Sequence, residues 1–179
     1  IEVNLNEENV GLKILSNSDP KIKSTVLKMA KENEDVVAAV NADFFTSYIS
    51  TASSEGMMIK EGKVYTSPSN DPAYATFTLD NDLKAGISYF TFDIMVTSKR
   101  TNDSSKILFY NKNADPMYLK IYDRGFGEKT PGSMNDGYEV VVEDRVVTQV
   151  LSNKEGVEIP ENGYVLHNSL RHSLFLSQN

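Results

Sequence analysis

The feature that most constrains the fold is a succession of short runs in which apolar and polar residues alternate. The longest run covers residues 87–98 (ISYFTFDIMVTS), where Phe90, Phe92 and Ile94 would lie on one face of a strand. Other short runs of strand character occupy residues 1–5, 9–17, 56–67, 74–79, 107–111, 117–122, 138–143, 145–151 and 164–166. We therefore expect about ten strands and a fold dominated by β-sheet.

One segment has helical spacing instead. The Asp-Pro pair at 19–20 is typical of a helix start, because Asp can cap a helix and Pro is tolerated in the first helical position. Ile22, Val26 and Met29 then recur on one helical face. We predict an α+β fold, with a strand-rich mixed or antiparallel sheet and one main helix over about residues 20–33.

Composition excludes several classes of protein. A chain of 179 residues, 40% of them hydrophobic, can form one domain with a real core. The net charge of −7 and the lack of any Lys/Arg-rich run argue against nucleic-acid binding. The absence of cysteine excludes disulfides and thiolate chemistry. No apolar run approaches the roughly 20 residues of a membrane-spanning helix, so no membrane span is expected.

The motifs that bind metals, cofactors or phosphate are absent from the sequence. His167 and His172 are five residues apart and would not share a helical face, so we expect ordinary surface or terminal histidines. The sequence has no HExxH motif, no EF-hand loop, no glycine-rich phosphate loop and no G-x-S-x-G nucleophile motif. Residues 80–82 (DND) are typical of a hairpin turn. We predict no metal site and no cofactor.

Residues 36–45 (VVAAVNADFF) contain the best candidate for a site. The apolar residues 36–40 predict a fully buried strand, and alternation places Asn41 and Asp43 on one face beyond its carboxyl end. An amide and a carboxylate beside Phe44–Phe45 could bind sugar hydroxyls, and the carboxylate could act as a general acid or base. In the alternative, both polar side chains cap loop amides while the phenylalanines pack in the core. Spacing alone favours this capping role.

The order of several short motifs resembles the phosphodiester glycosidase family. The motifs are NADFF (41–45), Gly56 before an apolar strand, EGKV (61–64), YDRGFG (122–127), EVVVEDRV (139–146) and IPENGYVL (159–166). Each motif is weak alone, but together they extend with similar spacing through nearly the whole chain. The family includes the enzyme that uncovers mannose 6-phosphate by removing N-acetylglucosamine, and many bacterial exported proteins.

The resemblance implies an exported bacterial hydrolase, extracellular or at the cell surface, that acts on sugar-1-phosphodiesters of a surface glycan. Its partner would be a carbohydrate or sugar-phosphate substrate. The resemblance assigns Asn41 and Phe44–Phe45 to the floor of the substrate cleft, and Gly56 to a close approach of the backbone. Such hydrolysis needs a carboxylate pair or an equivalent, for which the chain offers Asp43 and Glu55.

The sequence also departs from the family pattern. Family members continue with a second half that carries a D-G-G-G-S-S segment preceded by an Arg-Thr stretch, and this combination does not occur here. Residues 1–179 are therefore expected to form a single domain, the amino-terminal part of a larger one, and to be inactive alone. Small residues are also common at the position of Asp43 in the family. A half-domain leaves strand edges and apolar surface uncovered, so we expect a self-pairing dimer, a swapped strand or an autonomous subdomain.

The alternative function is a non-catalytic surface module that binds a glycan or another protein. Exposed aromatic residues such as Tyr89 and Tyr118 would stack on sugar rings in that case. Convergence of Asn41 and Asp43 with Glu55 on an open cleft would favour the hydrolase. Burial of Asn41 and Asp43 beneath residues 46–55 would favour the binding module.

Overall fold

The computed structural model describes residues 2–17, 19, 22–46, 53–113, 118–132, 137–152 and 155–168. This part of the chain contains one helix, Val26–Lys31 (α1), and thirteen strands. The strands are Phe45–Thr46 (β1), Ser53–Ser54 (β2), Met58–Lys60 (β3), Lys63–Thr66 (β4), Thr76–Leu79 (β5), Ala85–Ser88 (β6), Ile94–Thr97 (β7), Ser104–Ile107 (β8), Phe109–Tyr110 (β9), Lys120–Tyr122 (β10), Tyr138–Glu143 (β11), Val146–Leu151 (β12) and Gly163–Asn168 (β13). The fold is β-rich.

The predicted α+β class with a main helix over residues 20–33 is wrong. Helix α1 has six residues, and its N-cap is Thr25, whose hydroxyl accepts a hydrogen bond from the Lys28 N–H at 3.2 Å. No side chain of α1 is buried, and Ile22, part of the predicted apolar stripe, is exposed. Short helices gain most of their stability from packing an apolar face. Because the described residues cover this stripe only in part and bury none of it, the helix gains little from packing and stays short.

The predicted buried strand at residues 36–40 is also wrong. No strand is formed there, and Val37 and Val40 are exposed, with 74% of Val40 accessible. A fully buried strand needs neighbours on both faces, and the described residues place none on this run. It is instead an exposed apolar segment that leads into β1.

Two further strand predictions fail, and a third is only partly right. Residues 2–5 and 9–17 contain no strand. The run at 87–98 is not one strand, because β6 ends at Ser88 and β7 begins at Ile94. Apolar alternation thus located β6 and β7 but did not reveal the break between them.

The hairpins predicted at 56–67 and 138–151 are confirmed as β3–β4 and β11–β12. The second hairpin turns at Asp144 and Arg145, which both have positive φ, 47° and 68°. Two consecutive residues with positive φ match the two-residue turn whose twist suits a hairpin. The turn predicted at residues 80–82 also joins two strands, β5 and β6.

The core is a five-stranded sheet in the order β12-β11-β13-β10-β9. Its pairs are antiparallel except β9–β10, which is parallel. Successive residues of β11 point to opposite faces, so its valines contribute to two apolar clusters. One cluster contains Tyr122, Phe126, Val141, Val157, Ile159 and Val165, and the other contains Ile107, Leu119, Val140, Val142 and Leu166. Because apolar side chains pack on both of its faces, this sheet forms the hydrophobic core of the described chain.

Candidate functional site

The site is built around Asp43 and the turn at residues 53–56. Strand β1 pairs with β2 so that Phe45 lies opposite Ser54, and the Glu55 N–H donates to the Phe44 carbonyl at 3.1 Å. This pairing brings the turn beside Asp43. The Asp43 Oδ2 atom accepts hydrogen bonds from the Gly56 N–H at 2.7 Å and from the Ser54 hydroxyl. The carboxylate is therefore held in place although Asp43 is exposed.

Gly56 permits this close contact. A Cβ atom added at Gly56 would lie 3.0 Å from the Asp43 Oδ2 atom and 3.3 Å from its Cγ atom. At that distance the carboxylate would have to move away from the Gly56 N–H. Gly56 is thus the point at which the backbone lies against the Asp43 carboxylate.

Lys112 reaches the same turn from the end of β9. Its side chain is buried, with 4% of the residue accessible, and its Nζ atom donates to the carbonyls of Gly56, at 3.1 Å, and of Glu55. Burial lowers the pKa of Lys112 to about 8, and the negative charges of Glu55 and Asp43 partly oppose that shift. A buried ammonium group thus lies close to two carboxylates.

Two further contacts fix the turn to its surroundings. The Asn113 N–H donates to the Ser53 hydroxyl at 2.9 Å, and the Thr66 hydroxyl donates to the Gly56 carbonyl at 3.1 Å. Tyr74 lies within electrostatic reach of the site: its pKa is raised by burial first, and then by the negative charges of Asp43, Glu55 and Asp71. Asp43 therefore shares its surroundings with the carboxylates of Glu55 and Asp71 and with the Lys112 ammonium group.

A second carboxylate, Asp123, orders the loop after β10. It accepts hydrogen bonds from the Tyr110 hydroxyl at 2.6 Å, the Asn111 Nδ2 atom at 2.6 Å and the Gly125 N–H at 2.8 Å. Its own N–H donates to the Asn111 Oδ1 atom at 2.9 Å. Burial, and then the hydrogen bond and charge of Asp123, raise the pKa of Tyr110 far above its usual value. Because Asn111 precedes Lys112, this network adjoins the Asp43 site.

The residues predicted from sequence fall into two groups. Asp43, Glu55 and Gly56 come together at one turn. Asn41 and Phe44–Phe45 lie at the surface, where Phe44 is 77% and Phe45 58% accessible. The Lys23 Nζ atom is 5.5 Å from the centroid of the Phe45 ring. The capping alternative requires both phenylalanines to pack in the core, and neither does. Its other expectation, that Asp43 bonds a loop amide, is met by the Gly56 N–H.

Sequence reasoning missed Lys112, Asp123 and Tyr110. Lys112 stands between two asparagines, in no recognisable motif. Its partners Glu55 and Gly56 lie 57 and 56 positions earlier in the chain. Asp123 lies in the YDRGFG segment, which was noticed only for its family resemblance. A single sequence carries no signal for such distant contacts.

The histidine prediction is wrong for His167, which is buried in β13. Its Nδ1 atom lies 3.6 Å from the Oε1 atom of Glu139, which is also buried. His172 lies outside the described residues. Within the described ranges, no three His, Cys, Asp or Glu side chains are grouped so that they could hold a metal ion. No helix in the same ranges has the length and apolar character needed to cross a membrane.

Comparison with known proteins gives a fold but no family. No family model and no curated protein matches the chain. The fold is similar to that of a hypothetical protein from Synechocystis, with a TM-score of 0.74 and 14% identity over 90% of this chain and 30% of that one. It is also similar to a Burkholderia pseudomallei protein named "Putative exported protein", with a TM-score of 0.62 and 17% identity over 84% of this chain and 37% of that one. This chain thus spans about a third of the length of either protein, and identities this low show the fold alone.

Proposed function

We propose that this chain forms part of an exported hydrolase that cleaves sugar-1-phosphodiesters of a surface glycan, as the resemblance to phosphodiester glycosidases implies. The observation that carries the proposal is the exposed Asp43 carboxylate, oriented by the Gly56 N–H and the Ser54 hydroxyl. A general acid or base must be held at a defined position to be effective. Asp43 meets that requirement, and Glu55 lies beside it.

The reaction would break the bond between the anomeric carbon and the phosphate oxygen. Water adds to the anomeric carbon and gives up a proton, while the phosphate monoester leaves with the bonding electrons. In this proposal Asp43 takes the proton from water. The carboxylates beside Asp43 suit neutral sugar hydroxyls better than phosphate, because they repel a phosphate anion, and the Lys112 ammonium group is buried against the Glu55 and Gly56 carbonyls. In this proposal the phosphate is therefore bound by groups other than the described residues around Asp43.

The exposed apolar surface supports a larger domain. Val37, Val40 and Phe44 are all exposed and lie close to Asp43 in the chain. Where such side chains share one surface, another polypeptide typically covers it. The Synechocystis protein is about three times as long as this chain, and the Burkholderia protein is more than twice as long. The name of the Burkholderia protein agrees with export of the hydrolase. Self-association through this surface remains a prediction for the isolated chain.

Oxygen-isotope labelling tests the proposed reaction. The full-length gene product would be incubated with the methyl diester of an α-glycosyl phosphate in water enriched in oxygen-18. Cleavage at the anomeric carbon places the label in the released sugar and leaves methyl phosphate unlabelled. We expect that result for the full-length protein and no turnover by residues 1–179. Label in the phosphate, or no hydrolysis by the full-length protein, would refute the proposal, and turnover by residues 1–179 would refute the need for a second half.

One observation favours the alternative, a glycan-binding surface module. Tyr89 is 69% accessible, and the opposed pair Phe77 and Ile87 of the β5–β6 hairpin is exposed as well. Exposed aromatic rings can stack on sugars. Tyr118, the other aromatic candidate, is half-buried and packs edge-on against Phe109, with ring centroids 5.8 Å apart. Glycan binding by residues 1–179 that is lost in Tyr89→Ala and kept in Asp43→Asn would favour this module.

A further inference from the structure

We infer that Lys112 is a positioning residue: its ammonium group holds the 53–56 turn, and through that turn it holds the Asp43 carboxylate. Lys112 is too buried to serve as a group that touches the substrate. The inference deepens the proposed function, and only its consequence for hydrolysis rests on that function. The contact itself can be tested without any substrate.

Gly56 lies between the cation and the carboxylate. Its N–H donates to the Asp43 Oδ2 atom at 2.7 Å, and its carbonyl accepts from the Lys112 Nζ atom at 3.1 Å. The oxygen of the Ser54 hydroxyl, the second donor to Asp43, also lies 3.2 Å from the Gly56 carbonyl oxygen. Any shift of this turn therefore moves both donors of the Asp43 carboxylate together.

The positive charge matters as well as the packing. The carbonyls of Glu55 and Gly56 both point at the same Nζ atom, and converging carbonyl dipoles repel each other unless a cation or donor lies between them. Methionine would fill much of the same volume, but the Glu55 carbonyl would lose its Lys112 donor and the Gly56 carbonyl would keep only the neutral Thr66 hydroxyl. Unpaired buried acceptors are costly, so the turn would be expected to rearrange.

The backbone of Lys112 is anchored to the central sheet. The Tyr122 hydroxyl donates to the Lys112 carbonyl at 2.9 Å, and Tyr122 belongs to one of the two core clusters. On either side, Asn111 enters the Asp123 network and the Asn113 N–H bonds the Ser53 hydroxyl. Lys112 thus connects the central sheet to the β1–β2 hairpin and its 53–56 turn.

The charge state of Lys112 supplies a signature that packing alone would not. Burial lowers its pKa to about 8, against the opposing charges of Glu55 and Asp43, and the Tyr122 hydroxyl at its carbonyl is the other titratable group in contact. Loss of the proton removes the charge that strengthens both carbonyl contacts. The amide signal of Gly56 should therefore titrate with a midpoint near this pKa.

The test is amide hydrogen exchange and chemical shift at Gly56 in the 179-residue chain. Lys112→Met should speed Gly56 exchange about tenfold or more, because a charge-assisted hydrogen bond is lost. Lys112→Arg keeps a positive charge and N–H donors, so its Gly56 exchange rate should lie between those of Lys112→Met and wild type. Lys84→Met, at an exposed lysine in the β5–β6 turn, is the matched control and should change nothing.

Two results would overturn the inference: Gly56 exchange in Lys112→Met equal to that of wild type, or a wild-type Gly56 signal that does not move as Lys112 loses its proton, followed at the Lys112 Nζ resonance. The wild-type titration decides the matter even if Lys112→Met does not fold. In the full-length gene product, Lys112→Met should lower kcat and Lys112→Arg should partly restore it. If Gly56 responds but Asp43→Asn leaves hydrolysis intact, the inference stands and the proposed function fails. The reverse pattern rejects the inference alone.

Discussion

Removing the Asp123 carboxylate should destabilise the protein by about 4 kcal/mol. A hydrogen bond to a charged acceptor contributes about 1.5–3 kcal/mol when buried. Asp123 is half-buried and accepts three, from Tyr110, Asn111 and Gly125, so about 1 kcal/mol for each is a reasonable discount. Asp123→Ala also leaves the buried Asn111 amide without this acceptor, which adds about 1 kcal/mol.

Asp123→Asn should cost only about 2 kcal/mol, because the amide can keep the three contacts as neutral hydrogen bonds. Its oxygen would face Asn111 and Gly125, and its NH₂ group would donate to the Tyr110 hydroxyl. Urea unfolding followed by circular dichroism measures both variants, with Asp82→Ala as a control, since Asp82 makes only an exposed ion pair 3.9 Å from Lys84. The reasoning would be refuted if the free energy of unfolding of Asp123→Ala lay within about 1 kcal/mol of wild type. It would also be refuted if Asp123→Asn were less stable than Asp123→Ala.

Two further predictions concern the core sheet and its surroundings. Burial raises the pKa values of Tyr110 and Tyr122 in the folded state, so unfolded tyrosines lose their protons near pH 10 while the folded ones stay neutral. The stability that these two tyrosines contribute is complete below about pH 10 and falls above it by up to about 1.4 kcal/mol per pH unit for each. Tyr110→Phe should therefore flatten the slope of the free energy of unfolding against pH by that amount. An unchanged slope would contradict the assignment. Gly163→Ala should lower the free energy of unfolding by about 3 kcal/mol, because its Cβ would lie 2.0 Å from the Val142 carbonyl oxygen. Gly11→Ala, with open space around the new Cβ, is the control for the same urea titration, and equal stability of the two variants would count against the packing of β13 on β11.

Local patterns predicted the parts of the fold whose contacts are local in sequence. The β11–β12 hairpin depends on an apolar run, a two-residue turn at Asp144–Arg145 and a second alternating run, all within residues 138–151. The β3–β4 hairpin is similar. Periodicity failed where the element needed a distant partner. The apolar stripe at residues 22–30 and the run at 36–40 have the composition of buried elements, but the described chain fully buries no residue of either.

The same distinction holds for the site. Asp43, Glu55 and Gly56 lie on or beside two short strands that pair with each other, so their proximity could be predicted from neighbouring motifs. Lys112 and Asp123 belong to the site only because β9 and β10 place them there, across more than 50 residues of sequence from the turn. Propensity and spacing carry no information about such pairings. The sequence therefore predicts the carboxylates Asp43 and Glu55 but not the Lys112 cation beside them.

Hydrolysis by the full-length gene product carrying Asp43→Asn tests the central claim most directly. The measurement is the initial rate of sugar release from a glycosyl methyl phosphodiester at saturating substrate, with Asp82→Asn as the matched control. Asparagine keeps the size of the side chain but cannot take a proton from water, so kcat should fall by about a hundredfold or more while the control keeps its rate. A kcat for Asp43→Asn within about twofold of wild type would contradict the account.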